Sequence, residues 1–236
     1  MLHYVYIRRT LENLTDVRGR QDMHKEIKII AFDLDGVLYD GVSAAFHLAQ
    51  QVGLGQKYQE LFVRMATEAL SFDDSLRLGA KIWEGIAFGG EYRQLVMELP
   101  LMKGTEETIA ALKEAGYQVG CISSGVSQFF MEPLTERLNL DFAYSNILGV
   151  KNGTHSGEIE YAMGGPQKAE TVLKILKEKE LSTQNLASIG DGENDIHLFG
   201  VSAFSIAFNP ESEAVSGAAT ITVHSKNLES ILEYFV

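Results

Sequence analysis

A short apolar run from Ile27 to Phe32 stops abruptly at Asp33-Leu34-Asp35-Gly36, and this junction constrains the fold more than any other stretch of the chain. Ile29-Ile30-Ala31-Phe32 leaves no polar face, so it reads as a strand buried on both sides, the kind found in parallel sheets covered by helices. The junction recurs. Val119 to Ile122 ends in Ser123-Ser124-Gly125, which is expected to turn the chain into a helix, and Leu186 to Gly190 ends in Asp191-Gly192-Glu193-Asn194-Asp195. Phe204 to Phe208 and Ile221 to Val223 are two further short runs. Helical patterns separate them: one starts at Thr105 and is stopped by Gly116, and another has Pro166 in its opening turn and runs to about Glu180. Strands alternating with helical crossovers predict an α/β fold around a parallel sheet.

The stretch from Val42 to about Leu99 breaks that alternation. Val42, Ala45, Phe46, Ala49 and Val52 fall on one helical stripe, further helical periods follow, and no strand is expected there. Asn152-Gly153 sits between two strand-like runs, 143–150 and 154–161, and predicts a small β-hairpin with a primed turn. The expected organisation is an N-terminal appendage over 1–26, a core built from 27–40 and 100–236, and a helical cap over 41–99, with Gly41 and Pro100 as flanks of a hinge.

Composition narrows the partners. Thirty-two acidic against twenty basic side chains give a net charge of -12, which repels nucleic-acid phosphates and anionic membrane surfaces. Cys121 stands alone, so no disulfide framework exists, and together with the lack of an export signal in MLHYVYIRR this leads us to expect a cytoplasmic protein. No apolar stretch reaches the roughly 18 residues of a spanning helix.

In an open parallel sheet the carboxyl ends of the strands line one crevice, where ligands bind. Asp33, Asp35, Ser123, Asp191 and Asp195 would then face one another. Unit charges about 4 Å apart repel by roughly 4 kcal/mol at an effective dielectric near 20, so four carboxylates in one crevice need positive charge beside them. A hard divalent cation, Mg²⁺, suits an oxygen-rich site, and the six histidines show no zinc spacing. Asp33 is placed to attack a phosphoryl group and form an aspartyl-phosphate, with Asp35 handling the proton two residues on. Lys168, in the opening turn of its helix, can offset charge on the nucleophile and the phosphoryl oxygens. The Ser123 hydroxyl and the backbone amides around Ser124 and Gly125 are neutral phosphate donors. Asp195 stands where a dinucleotide fingerprint would have its third glycine, and no Gly-x-Ser-x-Gly elbow surrounds Ser123, so neither a nucleotide-linked oxidoreductase nor a serine hydrolase fits.

Taken in order, Asp33-Leu34-Asp35-Gly36-Val37, Ser123, Lys168 and Gly190-Asp191-Gly192-Glu193-Asn194-Asp195 resemble the four motifs of haloacid dehalogenase superfamily phosphatases. The similarity to the phosphoserine phosphatase branch extends from Ile27 to Phe235 and takes in the helical insert and the hairpin. The resemblance implies a Rossmann-like core with an inserted helical cap. It also implies Mg²⁺ held by Asp33, the Asp35 backbone carbonyl and Asp191, with Asp195 and Asn194 orienting the metal waters. The implied reaction is hydrolysis of a small phosphorylated metabolite, phosphoserine being the substrate of that branch. A phosphotransferase that hands the phosphoryl group to an alcohol, and a non-catalytic phosphate-ligand binding protein on the same fold, remain open alternatives.

One departure concerns the substrate. The resembling branch grips the substrate amino group with a cap glutamate and the carboxylate with a cap arginine, and this chain has Val42 and Gly79 at those places. Neither can supply the charge; Asp40, Arg77 and Arg93 are the nearby candidates under a shifted register. Phe72 matches a cap phenylalanine that lies over the active site in that branch.

Overall fold

In a computed structural model the described residues are 26–236; the expected appendage, Glu26 apart, lies outside them. The strands are β1 (Ile29–Phe32), β2 (Gln118–Ser127), β3 (Phe142–Lys151), β4 (Thr154–Tyr161), β5 (Leu186–Gly190), β6 (Phe204–Phe208) and β7 (Ile221–Val223), side by side in the order β4-β3-β2-β1-β5-β6-β7. All neighbours run parallel except β3 and β4, which form the expected antiparallel hairpin. Asn152 and Gly153 turn it with φ of 52° and 78°, the two positive values a primed turn requires.

Chain order reverses at β1, which has β2 on one side and β5 on the other. A crevice opens at such a reversal, and the β1 end carrying Asp33 lies in it, flanked by the strands that carry Ser123 and Asp191.

Four helices fill the insert: α1 (Ala44–Gln51), α2 (Gly55–Glu68), α3 (Phe72–Ile82) and α4 (Glu91–Met97). Five more connect the strands of the core: α5 (Thr105–Glu114), α6 (Gln128–Leu138), α7 (Gly165–Glu178), α8 (Ile196–Gly200) and α9 (Glu213–Ala218). The insert shares one apolar cluster with the core, in which Leu48, Tyr58, Trp83 and Val96 join Phe32, Leu34, Ile109 and Phe130. On the opposite face of the sheet Ile29, Ala31 and Ile122 pack against Val172, Ile175 and Leu176 of α7.

Two expectations are corrected. Val42 is not part of the α1 stripe: Ser43 caps the helix by accepting a hydrogen bond from the Phe46 amide at 3.2 Å, which leaves Val42 outside it and 92% exposed. Ser123-Ser124-Gly125 is not a turn either. The strand continues through it to Ser127, shifting register against β3 between Ile122 and Ser127, because the buried Asn146 amide donates to the Ser124 and Val126 carbonyls at 2.8 and 2.9 Å.

Candidate active site

The end of β1 holds the Asp33 carboxylate in a buried position, 4% exposed, with Oδ1 accepting from the Leu34 amide at 2.8 Å. Lys168 enters from the opening turn of α7, where Pro166 supplies a preset φ and has no amide to leave unpaired. Fully buried, its Nζ lies 2.8 Å from Asp33 Oδ1 and 2.8 Å from Asp195 Oδ1. Asp195 in turn accepts from the Asp191 and Gly192 amides through Oδ2, at 3.1 and 3.2 Å, so the loop after β5 is held by the same carboxylate that holds the lysine. Asp33, Asp191 and Asp195 each offer an oxygen within 4.8 Å of the others. The Asp191 carboxylate lies directly against Gly36, where a Cβ would come within 1.8 Å of Oδ2, and φ of +72° at Gly36 is likewise suited to glycine.

Charge in this cluster is unbalanced, with one ammonium against three carboxylates. Burial pushes the Asp33 carboxyl well above the usual range and the Asp195 charge adds to it, while Lys168 opposes both. Burial, then the charges of Asp195 and Glu211, raise Asp191 to about 7. Lys168 stays protonated, because the attraction of Asp195 and Asp33 exceeds the effect of its burial.

Asp35 stands apart from this cluster. Its Oδ1 accepts from the Ala44 amide at the start of α1 at 2.7 Å, and its Oδ2 faces Gly125, where a Cβ would lie 2.1 Å away. Burial raises the carboxyl to about 6 despite the Ala44 hydrogen bond, a value suited to exchanging a proton near neutrality. Ser123 is fully buried, and its Oγ accepts from the Gly125 amide at 3.1 Å, so that amide is engaged locally. The Ser124 Oγ is buried with no partner among the described residues. Asn194 turns Oδ1 back over Gly192 and sets its backbone against Gly165 at the start of α7.

The structure thus brings Asp33, Lys168, Asp191 and Asp195 together and sets Asp35, Ser123, Ser124 and Gly125 along the adjoining edge. It does not bring charged cap residues to the place where the sequence left a choice. Val42 and Asp40 are exposed, Arg93 pairs with Glu136, and Arg77 lines a separate hollow with Asp73 and Glu160. Two residues were missed in the sequence. Asn146 looked like one more position in a strand, its only signal being an amide inside an apolar run, and Glu211, which accepts from the Glu193 amide at 2.8 Å, carried no signal at all.

Residues 27–198 match the haloacid dehalogenase-like hydrolase family. A phosphoserine phosphatase of Archaeoglobus fulgidus is 29% identical over 206 residues, 87% of this chain, which spans 59% of that protein's length. One from Methanocaldococcus jannaschii is 28% identical over 213 residues, covering 90% of this chain and 99% of that protein. A solved phospho-aspartyl intermediate analogue of phosphoserine phosphatase superposes with a TM-score of 0.75 at 27% identity, over 89% of this chain and 100% of that one. The chain belongs to the haloacid dehalogenase-like hydrolase family.

Proposed function

We propose that the protein is a phosphatase that hydrolyses a small phosphomonoester through a phosphorylated Asp33. The observation that carries this reading is the Asp33 carboxylate, whose Oδ1 is committed to Lys168 and the Leu34 amide while Oδ2 has no partner among the described residues. An oxygen held in that way is oriented for attack. Bond formation from Oδ2 to phosphorus expels the ester oxygen, and protonated Asp35 gives that oxygen its proton. Asp35, now a carboxylate, takes a proton from water as the water oxygen attacks phosphorus and releases Asp33. Lys168 remains cationic throughout and offsets charge on Asp33 and on the phosphoryl oxygens. The Ser123 hydroxyl and the backbone around Ser124 and Gly125 supply neutral contacts to the phosphate.

The donor set fits a hard cation: three carboxylates converge on one region, two of them held above the usual carboxylate range, with a single ammonium to balance them. Asp33, Asp191 and the Asp35 backbone carbonyl would hold Mg²⁺, which supplies positive charge for the transferring phosphoryl group. Asp195 and Asn194 shape the loop around that place.

The relatives support a phosphomonoester, and a strongly acidic chain with no membrane-length apolar helix among the described residues supports a small phosphorylated metabolite over nucleic acid or lipid. Phosphate release from a panel of metabolite esters with Mg²⁺, compared between the wild type and Asp33→Asn, tests the reading. The variant should fall to background while still melting as a cooperatively folded protein; sustained release would remove Asp33 from the nucleophile's role.

A further inference from the structure

Between the insert and the core lies a cavity of about 200 Å³, walled by Tyr58, Leu61, Met65, Phe72 and Trp83 from the insert and floored by the strand segment Ser124–Ser127. It adjoins the chemistry directly. Ser43 and Ala45, on either side of the Ala44 amide that holds Asp35 Oδ1, line it, as does Gly125, which faces Asp35 Oδ2. A leaving group that takes its proton from Asp35 would extend into this space.

No residue lining the cavity is an Asp, Glu, Lys, Arg or His. The charged side chains that could have served a zwitterion point elsewhere, as described above, and Gly79 contributes only bare backbone to the wall. An ammonium or carboxylate placed here would lose its water and meet no opposite charge, which disfavours it strongly. An apolar group gains from the same surroundings. The buried unmet polar demand along it is neutral: the Ser124 Oγ, 7% exposed, has no hydrogen-bond partner among the described residues.

We infer that this cavity is the leaving-group site and that it takes an uncharged, mostly apolar alcohol, with Ser124 meeting a single neutral oxygen. This rests on the phosphatase reading and names its substrate class. The space suits a group of benzene size or slightly larger, since a cavity of roughly 150 Å³ already accepts benzene. Phosphoserine, whose leaving group carries an ammonium and a carboxylate on one carbon, is a poor fit. Gly79 is the position that sets the size limit: a Cβ there would meet only Leu61 Cδ2, at 3.8 Å, so a larger side chain can grow into the cavity from α3 without backbone strain.

The test compares kcat/KM of the full chain with Mg²⁺ for benzyl phosphate, methyl phosphate, phosphoserine and phosphoethanolamine. Benzyl phosphate should exceed both charged esters by at least about 100-fold, and Gly79→Leu should lower the benzyl-to-methyl ratio by at least about tenfold, within the range that one or a few methylenes command in an apolar pocket. Phosphoserine turned over as well as or better than benzyl phosphate would overturn the inference while leaving the phosphatase reading intact. Binding of the non-hydrolysable benzylphosphonate and the phosphonate analogue of phosphoserine to wild-type protein, read by calorimetry, decides the preference independently of turnover. Equal affinities overturn the inference, whereas a clear benzylphosphonate preference with no ester hydrolysed would sustain the cavity's chemistry and sink the phosphatase.

Discussion

Lys168→Met keeps the length of a fully buried side chain and removes its charge. In the wild type Nζ touches Asp33 and Asp195 at 2.8 Å each. At that separation each attraction is worth about 6 kcal/mol gross at an effective dielectric near 20, and the burial of all three groups opposes it. What remains measurable is the penalty of leaving two buried carboxylates without their cation, about 3–5 kcal/mol for breaking a buried pair. In a chain of this size that corresponds to a fall in Tm of roughly 6–20 °C. The loss has a pH signature. Without the ammonium the Asp33 carboxyl, already raised by burial, is pushed further above its unfolded value, so the folded variant binds more protons than the unfolded chain through the acidic range. Its deficit relative to wild type should therefore be largest at neutral pH and shrink as the pH falls. Thermal melts of both proteins in metal-free buffer, taken from about pH 7.5 down to about pH 5, measure it. A variant that melts within a degree or two of wild type at neutral pH, or whose deficit is independent of pH, would show that Lys168 is not the cation holding this cluster together.

Two further outcomes follow from the same geometry. In metal-free protein Asp191 is held up to about 7 and Asp35 to about 6, chiefly by burial, against an ordinary value of 3.8. The folded state then binds more protons than the unfolded chain between those limits, so this contribution to stability is full below the unfolded value and is lost as pH rises through 6 to 7. Urea midpoints in EDTA should be higher near pH 5 than near pH 7.5, and saturating Mg²⁺ should raise the midpoint more at the higher pH; equal metal effects at both pH values would contradict the assignment of the Asp191 carboxylate to the cation. Gly36→Ala puts a methyl where Asp191 Oδ2 now lies, in a left-handed conformation that itself costs about 1–2 kcal/mol. Calorimetry should find Mg²⁺ affinity reduced at least about tenfold, or about 1.4 kcal/mol, with the fold retained, and affinity unchanged within experimental error would mean that Asp191 does not need its present position.

What could be read from the residues was what local chemistry dictates. Ile29–Phe32 meeting Asp33, and Leu186–Gly190 meeting Asp191, announce a strand and its polar end in the same few letters, and Asn152-Gly153 announces a turn whose two positive φ angles few other residue pairs accept. Where reading failed, a distant partner decided. Ser123-Ser124-Gly125 has the composition of a turn, yet Asn146 in the next strand donates to the Ser124 and Val126 carbonyls and keeps it extended. Val42 fits the helical period of α1, but Ser43 caps the start of that helix and leaves Val42 outside it. The orphaned Ser124 hydroxyl and the absence of charge along the cavity are properties of a space enclosed by segments 43–92 and 124–148, and periodicity within either segment does not carry them.

The way the insert is attached bears on how a substrate could reach that space. Its entering and leaving strands pair with each other, the Met102 amide donating to the Leu38 carbonyl at 2.9 Å beside a Tyr39–Leu101 bridge, so residues 38–39 and 101–102 form one double-stranded neck. On its far side the insert is bonded to the hairpin: the Gly85 amide donates to the His155 carbonyl at 2.9 Å, the His155 amide to the Ile86 carbonyl at 3.0 Å, and Phe88 stacks on Phe129 at 3.7 Å between ring centroids. A swing about Gly41 and Pro100 alone would have to break those two backbone bonds and the stacked pair, or else carry β4 along. Bending the hairpin with the insert keeps every one of these contacts except that with Phe129, which belongs to α6 of the core. Opening the cavity would therefore have to break both the Phe88–Phe129 stack and the Arg93–Glu136 ion pair between α4 and α6, and a hairpin that bent with the insert would also strain the β2–β3 pairing.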